Sequence, residues 1–267
     1  MKTLLPSLVK SIPGVSHLAR MWTKWQPLLD ERLVEAFHGT GHLVIDSGIP
    51  ESVLDRAVRD YSARPEVAQA KKLHHGARVF NAWETSKAIK AIATWPRVMR
   101  ILRQLYLREP LPFQTLNFPI GTEQRLHSDI IHFHSDPPSF MCGVWVALED
   151  IDRDNGALVY YPGSHKLREV SMEDVAAGPG PEHYPKYEDL IAKVVADSGI
   201  EPEFGVLKKG QALIWAANLI HGGSKHLDKS RTRHSQVTHY YFEGCQYYQP
   251  LDSYGGYRHL KRLKWIR

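Results

Sequence analysis

Residues 127–138 read HSDIIHFHSDPP, so the tripeptide His-Ser-Asp occurs twice, at 127–129 and again at 134–136. On an extended strand, residues i and i+2 face the same side, and His-x-Asp would then present one imidazole nitrogen and one carboxylate oxygen together. A third ligand from elsewhere would occupy three corners around a metal ion and leave the others open. Two His and one carboxylate in that arrangement suit non-haem Fe(II) and oxygen chemistry. The same ligands accept Zn2+, which would instead activate water for hydrolysis. A candidate third ligand stands in GQALIWAANLIHGGSKH (210–226), an apolar run that reaches His221 and two glycines. Twelve residues past His221, RTRHSQVTHYYF (231–242) places Arg233 and Ser235 on one face of an expected strand. An inward Arg beside a metal can hold a carboxylate through two parallel hydrogen bonds, as the far end of a metal-chelating 2-oxo acid would require. Arg231, two positions earlier on the same face, competes for that role.

The elements that must position these residues differ between the two parts of the chain. Residues 1–110 read mainly as a helical flank. LLDERLVEAFHGTG (28–41) has helical spacing and stops at glycine, HLVI (42–45) is a short strand, and PESVLDRAVRDYSA (50–63) opens on a proline suited to a first helical turn. TSKAIKAIATWPRVMRILRQLY (85–106) reads as two helices broken at Pro96. From 111 to 245 the texture becomes short β-branched and aromatic runs, with an Asn-Gly turn signal in DRDNG (152–156). Many short strands of this kind predict a sandwich or barrel. An insert at 166–203, helical over 186–198, interrupts them and suits a lid, a binding loop or a mobile segment. The expectation is one domain over 1–267, ending in a basic tail at 246–267.

Taken in order, LHSDIIHF, GVWVALEDIDRDNGALVYYPGSHKL, KKGQALIWAANLIHGG and RTRHSQVTHYYF resemble the phytanoyl-CoA dioxygenase family of Fe(II)/2-oxoglutarate oxygenases, over about residues 112–242. The resemblance implies an α+β fold: a double-stranded β-helix, or jelly roll, with N-terminal helices packed outside. It assigns His127, Asp129 and His221 to the metal and Arg233 to the distal carboxylate of 2-oxoglutarate. Ser235 completes an Arg-x-Ser pair, and Trp145 falls near the cosubstrate. Asn117, on the strand before the tripeptide, could hydrogen-bond it or be an ordinary strand residue. The implied reaction consumes O2 and 2-oxoglutarate, releases succinate and CO2, and hydroxylates a small molecule, sugar or acyl substrate. Keeping Asp129 favours hydroxylation over halogenation and leaves desaturation or ring formation as alternative outcomes. The alignment also separates the two tripeptides. His127 as ligand leaves a strand, a loop and the next strand, whereas His134 would place the site beside Pro137 and Pro138, which donate no ladder hydrogen bonds. His132 and His134 are then loop, substrate-facing or surface residues. One departure stands out: many relatives carry Ser two residues after the distal His, where this chain has Gly223.

Rival readings are a zinc hydrolase on the same ligands, which leaves Arg233 without a role, and an inactive barrel serving as a binding module. Trp83 and Cys142 read as core, and His165 as structural. The composition, 43% hydrophobic and 24% charged, is that of a globular domain. No apolar run approaches the roughly 18 residues of a membrane span. With two cysteines and a start whose apolar stretch is broken by Lys10 and prolines, a cytoplasmic protein is expected. The net charge of +5 is concentrated at the ends, in Lys2, Lys10, Arg20 and Lys24 and in RHLKRLKWIR (258–267). The basic ends suit a solvated face, an anionic substrate, or weak peripheral contact with an anionic membrane; their apolar residues Leu4, Leu5, Leu8, Val9, Trp22, Trp25, Leu260, Leu263, Trp265 and Ile266 are expected to dock on the barrel's outer wall, with insertion into such a membrane as the alternative. No nucleic-acid-binding signature is present, so no such partner is expected.

Overall fold

A computed structural model describes residues 28–73, 78–175 and 178–267. Helix α1 (Glu31–Thr40) starts where the Asp30 side chain accepts the Leu33 N–H, and ends where Gly41 takes the left-handed conformation at φ 80°. It leads into β1 (His42–Asp46), α2 (Glu51–Ser62) and α3 (Pro65–Leu73). After β2 (Val79–Phe80) come α4 (Lys87–Ala93), capped by Ser86, and α5 (Pro96–Tyr106). The break between them is at Pro96, as expected, because a proline tolerates only the first turn of a helix. The strands that follow are β3 (Pro110–Phe118), β4 (His134–Asp136), β5 (Met141–Ala147) and β6 (Leu158–Tyr160). Helices α6 (Met172–Val175) and α7 (Tyr184–Ser198) fill the insert. Then come β7 (Glu203–Gly205), β8 (Gln211–Ala216), β9 (His221–Gly223), β10 (Ser235–Phe242) and β11 (Gln246–Tyr248).

These strands form a jelly roll. The large antiparallel sheet runs β1-β8-β5-β10-β3-β2, and two smaller sheets run β7-β6-β9 and β11-β4, with Leu158, Tyr160 and Phe204 of the first packed on the inward face of the large one. The flank therefore contributes both edge strands of the large sheet. Strand parity sorts its two faces. Outward residues such as Val144, Val146, Ile214 and Tyr240 join Leu54, Ile89 and Ile101 of the helices in one core. Inward residues, among them Trp145, Leu213, Trp215 and Val237, pack with Tyr160 and Leu207 of the smaller-sheet side. The register aligns Trp145 and Leu116 with Val237, and Gly143 and Gln114 with His239, so both rows face inward.

Three expectations need correction. The first tripeptide is not a strand: His127 makes an isolated bridge to His221, and Asp129 opens a 3-10 turn over Asp129–Ile131. The second tripeptide is the strand, β4, which stops at Asp136 just before the prolines. The insert is no free loop. Tyr187 and Ile191 of α7 are buried against Ile131, Ile220 and Leu251, beneath the 127–131 segment. In the tail, Leu263 and Trp265 pack on Phe133 and Tyr241, and Ile266 enters the helix-side core, leaving Leu260 as the exposed apolar side chain of that stretch. The N-terminal basic and apolar residues named above lie outside the described residues. No helix among the described residues is long and apolar enough to cross a membrane.

Candidate metal and cosubstrate site

The bridge between His127 and His221 is reciprocal, each N–H donating to the other's carbonyl at 2.9 Å. The two rings are thereby held side by side, their centroids 4.4 Å apart. Each Nδ1 lies against a carbonyl, His127 on Arg125 O at 2.9 Å and His221 on Leu219 O at 3.0 Å. A carbonyl can only accept, so each Nδ1 carries the proton and each Nε2 keeps its lone pair. Both Nε2 atoms stand 3.9 Å from Asp129 Oδ1. One ligand atom from each of the three residues lies within 4.8 Å of the others, the spacing of donors around a shared ion.

The electrostatics prepare the same set. Burial, reinforced by the neighbouring His221, pushes the His127 ring down to about 3, so it is neutral near pH 7. Burial alone would raise the Asp129 carboxyl, but the facing rings of His221, His239 and His127 outweigh it and hold the carboxyl well below its ordinary value. Neutral imidazole and ionised carboxylate are the forms that bind a divalent cation. Donor identity, tautomer and charge all fit a 2-His-1-carboxylate metal centre.

What holds Asp129 was not anticipated from the sequence. The Trp215 indole N–H donates to Asp129 Oδ2 at 2.8 Å, and His239 Nε2 stands 3.6 Å from the same oxygen. Trp215 reaches it by lying across Gly143 of the adjacent strand, where an added Cβ would meet the ring at 2.2 Å. His239 shares the parity of Arg233 and Ser235, a signal that could have placed it inward; nothing in the sequence links Trp215 to Asp129. The middle residue of the tripeptide is braced as well. Ser128 N–H donates to Tyr187 Oη of the insert at 3.3 Å, and its hydroxyl donates to Asn218 Oδ1 at 2.9 Å. Arg125 pins the same segment to Glu188 and Asp189 of α7.

His127, Asp129, His221, Trp215 and His239 line a cavity of about 310 Å³, together with Trp145, Leu116, Val237, His132 and Arg233. Arg233 is buried just before β10, and its guanidinium donates to Ser235 Oγ at 2.5 Å and faces the rings of Phe118 and Trp145. Burial lowers it to about 10, opposed by Tyr61 and Glu149, so it remains a cation. Its Nε is buried without a hydrogen-bond partner. Arg231 turns outward onto Asp152 at 2.8 Å, which removes it as a rival. Asn117 is a correction: Gln114, Leu116 and Phe118 line the cavity, so Asn117 has the opposite parity. It donates to Gln236 Oε1 at 3.3 Å, and Gln236 in turn donates to Ile89 O on α4. At Gly223 a Cβ would stand 2.9 Å from the backbone nitrogens of Glu123 and Gln124, so that corner of the cavity has no room for a serine.

The second tripeptide is kept apart. His134 is buried, contrary to expectation, and faces Glu169 at 2.8 Å, while Asp136 pairs with Arg258 at 2.7 Å on the surface. His132 lines the cavity, and burial lowers it to about 4. Trp83 and Cys142 belong to the helix-side core, as expected.

A profile of the phytanoyl-CoA dioxygenase (PhyH) family matches residues 25–235, extending the likeness over most of the helical flank. The peroxisomal phytanoyl-CoA dioxygenase of Rattus norvegicus is 31% identical over 128 residues, 46% of this chain and 34% of that protein. The chain thus matches about a third of the length of that curated relative. Among solved structures, the alpha-ketoglutarate-dependent carbocyclase SnoK from nogalamycin biosynthesis superposes with a TM-score of 0.64 at 16% identity, covering 88% of this chain and 97% of its own. EctD from S. alaskensis, with 2-oxoglutarate and 5-hydroxyectoine, gives 0.62 at 17% identity, with 85% and 82% covered. These likenesses support the fold, and the profile match over most of the chain decides the affiliation. The protein belongs to the phytanoyl-CoA dioxygenase family of non-haem iron, 2-oxoglutarate-dependent oxygenases.

Proposed function

We propose that this chain is an Fe(II)- and 2-oxoglutarate-dependent dioxygenase that hydroxylates a small molecule. His127, Asp129 and His221 would hold the metal, and Arg233 with Ser235 would receive the distal carboxylate of 2-oxoglutarate. Trp145 would supply the wall against which the cosubstrate chain lies. The observation that carries the reading is the convergence of two unprotonated Nε2 atoms and one carboxylate in a cavity that also holds a buried arginine. Bound Fe(II) would serve to activate O2, one oxygen atom entering succinate as 2-oxoglutarate loses CO2 and the other entering a substrate C–H bond.

The protein's own residues then have four tasks. The Nδ1–H bonds to carbonyls fix both imidazoles in the ligating tautomer. Trp215 fixes the carboxylate by donating to Oδ2, with His239 standing beside that oxygen, and leaves Oδ1 toward the histidines. Arg233, rigid against two aromatic rings and bonded to Ser235, presents a planar fork to an incoming carboxylate. Leu116, Val237 and Leu158 give the cavity apolar walls that exclude water from the reacting carbon. A zinc hydrolase would leave Arg233 and its aromatic housing without a task. The test is succinate release by the purified protein with substrate candidates drawn from a metabolite library. Release that requires both Fe(II) and 2-oxoglutarate supports the assignment, whereas hydrolysis with Zn2+ and no 2-oxoglutarate overturns it.

A further inference from the structure

Five of the last ten residues are basic, and the structure treats them differently. Arg258 pairs with Asp136 at 2.7 Å, and Lys264 pairs with Glu84 at 2.9 Å, both on the surface. Lys261 points the other way, into the cavity. Its backbone is fixed there: Leu260 bridges Tyr248, and Lys261 N–H donates to Tyr247 O at 2.9 Å. Further on, Ile266 N–H donates to Pro112 O at 2.9 Å, with its side chain buried. The ammonium lies 5.4 Å from the Phe133 ring centroid, partly buried. Among the described residues no carboxylate comes within ion-pair distance of it, and Asp252 is the acid whose field reaches it. A desolvated cation without a counter-ion is unfavourable, and burial correspondingly lowers its proton affinity.

A second cation shares this part of the cavity. Arg78 lines it, donating to Gln124 Oε1 at 2.5 Å, and both Arg78 and Lys261 lie close enough to His132 to disfavour its protonated form. Arg233 belongs to another wall, between Phe118 and Trp145. The cavity thus has a cationic wall at Lys261 and Arg78 that a single dicarboxylate on Arg233 does not use.

We propose that Lys261, delivered by the C-terminal tail, together with Arg78, binds an anionic group on the substrate, a carboxylate, phosphate or sulfate ester carried by a molecule whose oxidisable carbon is apolar. The inference rests on the oxygenase reading of the cavity and names the class of substrate it takes. Phe133 beside the ammonium would pack on the carbon next to the anionic group. The tail then serves substrate binding through Lys261, while its other basic residues stay on the solvated surface.

The experiment uses the full chain loaded with Zn2+, a redox-inert stand-in for iron, and saturating 2-oxoglutarate. Ligand-observed NMR screens matched pairs: aliphatic and aromatic carboxylates against their amides, and phosphate and sulfate monoesters against the parent alcohols. The expected result is that anionic members of at least one series bind where their neutral partners do not. Lys261→Gln should weaken that binding at least about tenfold, Arg78→Gln should weaken it less, and Lys261→Arg should largely keep it. The series that binds distinguishes the kind of anion. Equal binding of neutral partners, affinity unchanged in Lys261→Gln, or no anion binding by any series overturns the proposal. So does loss of 2-oxoglutarate affinity in Lys261→Gln, since that would assign the lysine to the cosubstrate. Because Zn2+ supports no oxygenation, Lys261-dependent binding without Fe(II)-dependent succinate release would refute the oxygenase reading while leaving the anion site standing.

Discussion

Replacing Trp215 by Phe keeps an aromatic ring over Gly143 but removes the N–H that donates to Asp129 Oδ2 at 2.8 Å. A hydrogen bond to a charged acceptor contributes about 1.5–3 kcal/mol, and at about 1.4 kcal/mol per decade that is roughly 10- to 150-fold in an equilibrium constant. Two features of the site narrow the range. Trp215 is 1% exposed, so water does not readily replace the lost donor, which argues for the upper part. His239 Nε2 stands 3.6 Å from the same oxygen and can donate to it by moving its proton from Nδ1, which now faces Gln114 Oε1 at 3.0 Å, and that argues for the lower. We expect Fe(II) or Mn(II) affinity to fall about 30-fold, inside the 10- to 100-fold range typical of groups that orient metal ligands. The double variant with His239→Leu should lose more than the sum of the two singles, because each covers for the other. Anaerobic calorimetric titration with 2-oxoglutarate present measures the affinity, and denaturant unfolding of the metal-free protein separates it from the packing cost of the smaller ring. Metal affinity within threefold of wild type in a folded variant would refute the view that Trp215 holds the carboxylate in its ligating orientation.

His127→Ala, Asp129→Ala and His221→Ala should each abolish turnover, while Asp136→Ala, which breaks only a surface ion pair, should bind iron normally in the same titration; the reverse pattern would move the metal to the second tripeptide. Arg233→Lys should raise the 2-oxoglutarate requirement at least about tenfold through loss of the planar fork, and Arg231→Lys should leave it unchanged, as read from succinate release against cosubstrate concentration. Gly143→Ala should weaken metal binding at least as much as Trp215→Phe and also destabilise the fold by about 1–3 kcal/mol, because its Cβ displaces the indole that crosses it. His127 and His132 titrate near 3 and 4 in the fold against 6.5 unfolded, so between those values the unfolded chain binds more protons; thermal stability of the metal-free protein should therefore fall as the pH is lowered from 6.5 towards 4, and a Tm flat over that range would contradict their burial as neutral rings.

The sequence carried the fold well wherever local chemistry decides an element. Pro96 broke the helical run, glycine ended α1, and the β-branched and aromatic runs became β3, β5, β8 and β10. It misplaced the tripeptides because period-two spacing is only one way to bring His and Asp together. Here the pairing comes from a bridged residue followed by a 3-10 turn. The turn is stable because Ser128, between the two ligands, is held by Tyr187 and Asn218, 59 and 90 residues away along the chain. Such long-range braces leave no local pattern to read.

Parity accounts for what was legible in the rest of the site. Arg233, Ser235, Val237 and His239 alternate down one edge of a single run, so one correct inward residue fixes the others, and His239 follows from Arg233. The same rule excludes Asn117, whose neighbours Leu116 and Phe118 face the cavity, once the register of β3 against β10 is known. Between strands that are distant in sequence, parity is silent. Trp215 and Gly143 meet only because β8 lies beside β5, and the large ring needs the residue without a side chain opposite it. The tail is the extreme case. Its charge pattern reads the same whether Lys261 faces solvent or the cavity, and the choice is made by the Leu260–Tyr248 bridge and the burial of Ile266 at either side of it. Specificity in this fold is thus set where tertiary contacts aim a residue that local sequence leaves free to point either way.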